Sequence, residues 1–305
     1  KLIDDLKLDV KIEVDGSVSP KYIADMVSAG ADILVGGSSG LFRKDQLFFK
    51  SYGGFMRKAL NSFDHFFVQD KISENLLKSI NLSEITISGD TRFDRVSNQL
   101  NQNNSLDFIS DFKKNKLCIV CGSTWPEDEA VLLGYINKAS DNIKFIIAPH
   151  QINASKIEYL RKNILKKTAL YSTMENDLLS EANVFIIDTV GLLTKIYSYA
   201  DIAYVGGGMG ATGLHNILEP ATFGVPIVIG NRYNKFPEAK ELKDLKGLFS
   251  ISNTNECSQI LEKLIIDKNL RLESGKIAKS YIEDHKGATK KIMTYIKHLK
   301  EESLI

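Results

Sequence analysis

The chain has 305 residues, with 39 Lys and Arg against 38 Asp and Glu, for a net charge of +1. That balance argues against a nucleic-acid binder, whose phosphate contacts need a basic excess, and 43% hydrophobic with 25% charged residues excludes disorder and collagen-like repeats. Three cysteines make no disulfide framework, no apolar run approaches the ~18 residues of a spanning helix, and no signal peptide is visible.

In chain order, residues 1–42 read as one βαβ unit. Lys11–Val14 is a strand, Pro20–Ala29 a helix with Pro near its start, and Ile33–Val35 a strand running into the loop Gly36–Gly40. The middle stretch, Gln46–Arg95, alternates a helix over Phe55–Ser62, a strand over His65–Gln69, a helix over Glu74–Ile80 and a strand over Ile85–Ser88. Two strands cannot close a core, so this stretch belongs to something larger. Asn98–Ser105 (NQLNQNNS) is the most polar and least periodic segment and reads as a linker.

From Asn115 to about Ala288 the pattern becomes regular. Strands are expected at Leu117–Cys121, Lys144–Ala148, Val184–Ile187, Ile202–Val205, Ile227–Ile229 and Leu248–Ile251. Helices are expected at Glu127–Ala139, Ala154–Ile164, Leu192–Ala200, Asn216–Phe223, Pro237–Lys246 and Cys257–Asp267. Such alternation predicts βαβ units around a parallel sheet, a Rossmann-like α/β fold that binds ligands at the carboxyl ends of its strands. Cys118 and Cys121 have C-x-x-C spacing, but on a strand their side chains point to opposite faces, against metal or redox use.

The strongest local signal is Tyr204–Pro220 (YVGGGMGATGLHNILEP), a strand running into a glycine-rich loop and a helix near Asn216. Glycines let a backbone approach a ligand, and a helix start offers N–H groups to an anion, so the parts suit a phosphate. Asn216 and Glu219 also have the spacing of a capping box, and His215 suits a hydrogen-bonding role in the loop. After the first strand of this region, Ser123 and Thr124 suit equally a helix cap or a phosphate contact. Pro149 and His150 end the second strand at the same sheet edge. Three strand ends aiming polar or glycine-rich loops one way favour a nucleotide site. The charged segment Gly89–Val96 reads as a solvated face with Arg92 or Arg95 paired to Asp90 or Asp94. Phe48, Phe49, Tyr52 and Phe55 among Lys50, Arg57 and Lys58 suit either a helix packing its apolar side or a contact with anionic lipid.

Five motifs occur in order and at fitting distances: FFKSYGGF (Phe48–Phe55), FVQD (Phe67–Asp70), GDTRFDRV (Gly89–Val96), GSTWP (Gly122–Pro126) and HNILEP (His215–Pro220). Together they make roughly residues 43–305 similar to the 3-deoxy-D-manno-octulosonic acid (Kdo) transferases of lipopolysaccharide synthesis. The resemblance implies an α/β, GT-B-like fold in which residues 113–305 form the complete carboxy-terminal donor domain. Residues 43–112 would end an incomplete amino-terminal α/β domain and include the linker. It implies metal-independent, inverting transfer of Kdo from CMP-Kdo to a lipid A precursor, without a cofactor, at the cytoplasmic face of the bacterial inner membrane, with peripheral contact through Phe48–Lys58. It places Ser123, Gly207 and Gly208 near the donor phosphate, Pro149 and His150 at the cytosine, and Asn216 and Glu219 at phosphate and ribose. Pro149-His150 departs from the family's Pro-Arg-His. The family's general base and membrane anchor lie upstream of the matched part, so no catalytic residue is assigned and a non-catalytic CMP-binding remnant is the alternative.

Residues 1–42 instead resemble the last strands of ribulose-phosphate or allulose-phosphate 3-epimerases, through VDGSV (Val14–Val18) and AGADILVGGSSGLF (Ala29–Phe42). That likeness implies a metal-bound catalytic Asp15 and a phosphate loop at Gly36, Gly37 and Ser38, joined near Phe42–Gln46 to a truncated transferase. About two of eight β/α units cannot complete such a barrel. The alternative is that residues 1–42 supply strands to the incomplete sheet.

Overall fold

A computed structural model of the chain describes residues 13–15, 33–35, 39–61, 63–174 and 179–301. The chain divides into two compact units, Lys1–Asp94 with His285–Ile305, and Arg95–Asp284.

In the first unit, β1 (Glu13–Asp15) and β2 (Ile33–Val35) pair in parallel, with Asp15 opposite Val35. The helix expected over Pro20–Ala29 and the loop residues Gly36, Gly37 and Ser38 lie outside the described residues. The chain after β2 reaches the next sheet. Gly40 N–H donates to the Phe67 carbonyl at 2.8 Å and Gln69 N–H to the Gly40 carbonyl at 2.9 Å. Gly40 thereby adds a parallel bridge to β3 (Phe66–Val68), which pairs with β4 (Ile85–Ile87). β1 and β2 themselves form a two-stranded sheet separate from β3 and β4. In the chain between Gly40 and β3, Phe48 and Phe49 turn inward against Phe42 and the Phe66 cluster, with edge-on ring contacts. Arg57, in α1 (Gly54–Leu60), donates to the Phe48 and Lys50 carbonyls at 3.1 and 3.0 Å. Of the expected basic-aromatic surface, Tyr52 stands 75% exposed, and Leu47, five residues before it, 49%. Asp70 caps α2 (Lys71–Lys78) through Ser73 N–H at 2.6 Å.

The segment read as a charged face forms α3 (Thr91–Asn98). Asp90 accepts from Arg92 N–H at 2.8 Å and pairs with the guanidinium at 2.7 Å.

The second unit contains α4 (Asp107–Lys113) and is built on a seven-stranded, all-parallel sheet. Its strands are β5 (Leu117–Thr124), β6 (Ile143–Pro149), β7 (Thr168–Leu170), β8 (Val184–Ile186), β9 (Ile202–Val205), β10 (Ile227–Gly230) and β11 (Leu248–Ile251), in the spatial order β11-β10-β9-β5-β6-β8-β7. The runs of Val, Ile and Phe are buried on both faces, as a parallel sheet flanked by helices requires. Fully burying a side chain such as Phe145 contributes roughly 1.5–3 kcal/mol. The connecting helices are α5 (Pro126–Ile136), α6 (Ala154–Asn163), α7 (Leu193–Ile196), α8 (Leu218–Thr222), α9 (Pro237–Asp244), α10 (Thr254–Ile266) and α11 (Lys268–His285). Pro starts α5 and α9, where its missing N–H costs nothing, and Asn153 and Asn253 cap α6 and α10. Cys118 and Cys121 are buried free thiols on opposite faces of β5; Cys121 joins the core of Ile119, Tyr204 and Cys257.

From β5 the chain winds to one side through β6, then reverses to the other through β9. That reversal sets the carboxyl ends of β5 and β9 side by side, the crevice where open α/β sheets take ligands. The last helix, α12 (Ala288–Glu301), groups with the first unit, where Asp94 caps its start by accepting from Gly287 and Thr289 N–H at 2.7 and 3.0 Å.

At the far end of β6, Lys144 is 2% exposed. Its ammonium donates to the Ser180 and Ala182 carbonyls and lies 4.7 Å from the Phe112 ring centroid. Burial, with Lys116 and Lys114 nearby, lowers its pKa to about 8. An unfolded lysine titrates near 10.4, so between these values the unfolded chain binds the extra proton, and stability rises with pH across that window. Denaturant midpoints are expected to be higher at about pH 9.5 than at about pH 7.5, with the rise reduced in Lys144→Met. An equal rise in both proteins would assign it elsewhere.

Candidate functional site

The end of β5 supplies the first wall. At Gly122 a Cβ would lie 2.0 Å from the Tyr197 hydroxyl, so the strand packs there only without a side chain. Ser123 follows with φ +53°, a left-handed backbone uncommon outside glycine. Its carbonyl packs where a Cβ on Gly206 would sit, at 2.3 Å. Neither Ser123 nor Thr124 caps α5. Thr124 donates instead to Glu129 at 2.9 Å, and burial raises the Glu129 pKa. Glu127, Asp128 and Glu129 crowd the first turn of α5, so that helix start already carries the negative charge its dipole favours.

Asp128 organises the glycine loop. Fully buried, it accepts from the Tyr204 hydroxyl and Gly207 N–H at 2.8 Å, from Trp125 N–H at 3.0 Å and from Met209 N–H at 3.4 Å. One carboxylate thus ties α5 to the end of β9 and to the loop beyond it. The Gly207 N–H, expected to face a phosphate, is engaged by this carboxylate. Gly207 and Gly213 take φ +89° and +98°, and Gly208 lies against Gly230 at the end of β10, where a Cβ on Gly230 would be 2.2 Å from the Gly208 carbonyl carbon.

The Asn216–Glu219 pair departs from a capping box. Asn216 Oδ1 accepts from Leu218 N–H at 3.1 Å, while its amide donates to Glu219 Oε1 at 3.0 Å. Thr194 donates to Glu219 Oε2 at 3.1 Å, so both carboxylate oxygens are oriented from outside α8.

The loops after β5, β6 and β9 meet in three rings. Trp125 Nε1–H donates to His215 Nε2 at 2.8 Å, and the two rings lie edge to edge, 9° from coplanar with centroids 6.3 Å apart. The His150 ring lies across this pair, 4.7 Å from Trp125 at 25° and 4.3 Å from His215 at 30°. Burial lowers the His215 pKa, His150 adding to the effect and Asp128 opposing it. A shallow crevice lined by Thr124, Trp125, Glu129, Pro149, Gln151 and Lys156 adjoins the stack.

The structure therefore brings Ser123, Pro149, His150, Gly207 and Gly208 to one sheet edge, with Asn216 and Glu219 following the same loop. Sequence reasoning missed Trp125 and Asp128, and took His215 only as a loop hydrogen-bonder. The available signal was a tryptophan and a carboxylate placed just after a glycine turn. Asp15 lies on β1 in the first unit, and its proposed partners Gly36, Gly37 and Ser38 are outside the described residues. Among the described residues no group of three or more His, Cys, Asp or Glu could hold a metal ion, and no helix is long and apolar enough to cross a membrane.

A parallel sheet with a glycine loop at its switch point defines a Rossmann-like α/β unit. A solved UDP-N-acetylglucosamine 2-epimerase shares the fold, with a TM-score of 0.61 at 14% identity over 100% of this chain and 76% of that one. No protein-family model matches the chain. In sequence it is similar to the 3-deoxy-D-manno-octulosonic acid transferase of Aquifex aeolicus, 31% identical over 173 residues, 54% of this chain and 47% of that protein. It is also similar to a bifunctional glycosyltransferase/methyltransferase of Fusobacterium nucleatum, 24% identical over 319 aligned residues, 99% of this chain and 48% of that protein. The resemblance to Kdo transferases is thus borne out, and the chain spans about half the length of these curated relatives. The Fusobacterium alignment also takes in nearly all of residues 1–42, for which the sugar-phosphate epimerase resemblance is not borne out.

Proposed function

We propose that the chain carries the donor half of a metal-independent, inverting glycosyltransferase that takes Kdo from CMP-Kdo to a lipid A precursor. The observation that carries this reading is the meeting of the β5, β6 and β9 loops through Trp125, His150 and His215 at the switch point of the sheet. Around it, Ser123 and Gly208 border the donor phosphate and Pro149 and His150 the cytosine. Glu219, its oxygens oriented by Asn216 and Thr194, accepts from the ribose hydroxyls. Hydrogen-bond donors fixed in advance around the phosphate stabilise the charge that grows on departing CMP. Among the described residues none is assigned the general-base role in this reading. Peripheral contact with an anionic membrane falls to exposed Leu47 and Tyr52 with Arg43 and Lys44.

Calorimetric titration with CMP, with UMP and GMP as controls, tests the donor site. Selective CMP binding is expected. Glu219→Ala removes charged hydrogen bonds worth about 1.5–3 kcal/mol, so affinity should fall roughly tenfold or more. If the residue only braces α8, the variant loses stability and keeps its affinity. Kdo transfer to a lipid A precursor then tests the activity itself.

A further inference from the structure

We propose that His215 binds the nucleotide phosphate of the donor through a neutral Nδ1–H, and that Trp125 is the positioning residue that fixes this tautomer. The proposal rests on the donor-site reading above.

The indole Nε1–H only donates, so the nitrogen it meets must accept. That nitrogen is His215 Nε2, at 2.8 Å. A neutral imidazole accepting at Nε2 carries its hydrogen on Nδ1, and a protonated one would break the bond by facing N–H with N–H. The hydrogen bond therefore selects both charge state and tautomer. Among the described residues nothing takes Nδ1.

The ring is also placed where a phosphate donor is needed. His215 N–H donates to the Gly206 carbonyl at 3.1 Å, and the ring Cδ2 lies 3.0 Å from where a Cβ on Gly207 would be. His215 thus packs against the same glycine turn that borders the phosphate. His150 lies across it, which stops the ring from tipping out of the Trp125 plane. The titratable groups that face it are His150, from the end of β6, and Asp128, from α5; burial and His150 both lower its pKa and outweigh Asp128, so the neutral ring is favoured in the free protein. An anion arriving at Nδ1 favours the protonated ring, so phosphate binding and proton binding at His215 are linked.

Trp125 is the sole tryptophan of the chain, so its emission reports on this contact without a label. An imidazolium touching an indole quenches it. In the free protein, emission should fall on acidification with a midpoint below the ordinary histidine value of about 6.5. Saturating CMP should raise that midpoint by roughly one unit, a tenfold change in proton affinity. Saturating cytidine, which has no phosphate, should leave it in place. The CMP-induced rise should vanish in His215→Asn and persist in His150→Asn. By calorimetry His215→Asn should bind CMP about tenfold more weakly and cytidine as before, and Trp125→Phe should show a smaller loss for CMP alone. CMP binding without a midpoint shift, an equal shift with cytidine, or a shift that survives in His215→Asn overturns the assignment of His215. Equal losses for CMP and cytidine in His215→Asn overturn it too, as the mark of a merely structural residue. No binding of CMP at all overturns the donor-site reading, and this proposal with it.

Discussion

Asp128→Ala is expected to lower the unfolding free energy by about 4 kcal/mol and to remove measurable CMP binding. The side chain is fully buried and accepts from four donors, of which the Tyr204 hydroxyl and Gly207 N–H are the shortest at 2.8 Å. Alanine leaves those donors in the interior without an acceptor, and each orphaned group costs about 1–3 kcal/mol before relaxation. The Met209 bond, at 3.4 Å, adds little. The effect on binding follows from connectivity, because the carboxylate is what holds the glycine loop to α5. Asp128→Asn separates charge from shape. It keeps one acceptor oxygen but turns an amide N–H₂ toward groups that also donate, so a loss of about half the alanine effect is expected. Guanidinium unfolding and CMP titration on the same preparations check both. An alanine variant within about 1 kcal/mol of the parent that still binds CMP would show that the loop holds itself.

The second unit was legible because a buried parallel sheet writes itself as continuous β-branched runs. Ile202–Val205 and Leu248–Ile251 fall where those runs are, and Pro237 starts the helix its position announces. β5 runs three residues beyond the expected Cys121, since Gly122, Ser123 and Thr124 have little strand propensity and are held by pairing with β6 across a register shift. α3 was read as a charged surface because six of the eight residues of GDTRFDRV other than Phe93 and Val96 look solvated. Its two apolar residues are buried, and its carboxylates work as caps, Asp90 for its own helix and Asp94 for α12. Such a cap across 193 residues has no local signature. In the amino-terminal stretch the two described strands, β1 and β2, overlap the expected ones and pair with each other, but the contact of Gly40 with β3 had no signal. The Gly40–Val68 bridge is a tertiary choice that motif resemblance to a barrel could not supply.

The site was half legible for a related reason. Residue type and strand ends located Ser123, His150 and the glycine loop, because the carboxyl edge of a parallel sheet is set by topology. What the residues do to one another was hidden. Asn216 and Glu219 have capping-box spacing, yet the helix starts only at Leu218, so Asn216 Oδ1 accepts from Leu218 N–H and the Glu219 carboxylate takes the Asn216 side-chain amide. The Gly207 N–H was counted as a phosphate donor because Asp128, 79 residues earlier, gives no sign in sequence of reaching it.

Gly207→Ala is the other change with a large expected effect, and a second glycine supplies its control. Gly207 and Gly191 share φ +89°, a region where a Cβ costs roughly 1–2 kcal/mol through backbone sterics alone. At Gly191 nothing lies within 4 Å of the added carbon, so Gly191→Ala should cost about that much and no more. At Gly207 the carbon would stand 2.0 Å from the Gly213 carbonyl oxygen and 3.0 Å from His215 Cδ2. The turn must open, which adds roughly 1–3 kcal/mol of overpacking and pulls the Gly207 N–H off Asp128. Gly207→Ala should therefore lose about 2–5 kcal/mol in all, with CMP affinity reduced at least tenfold, while the difference between the two variants isolates crowding from backbone strain. Denaturant unfolding of both, beside a CMP titration of Gly207→Ala, gives the comparison. Equal stabilities for the two variants would mean that the loop moves aside freely, and a loop so compliant could not hold a phosphate in a fixed cradle.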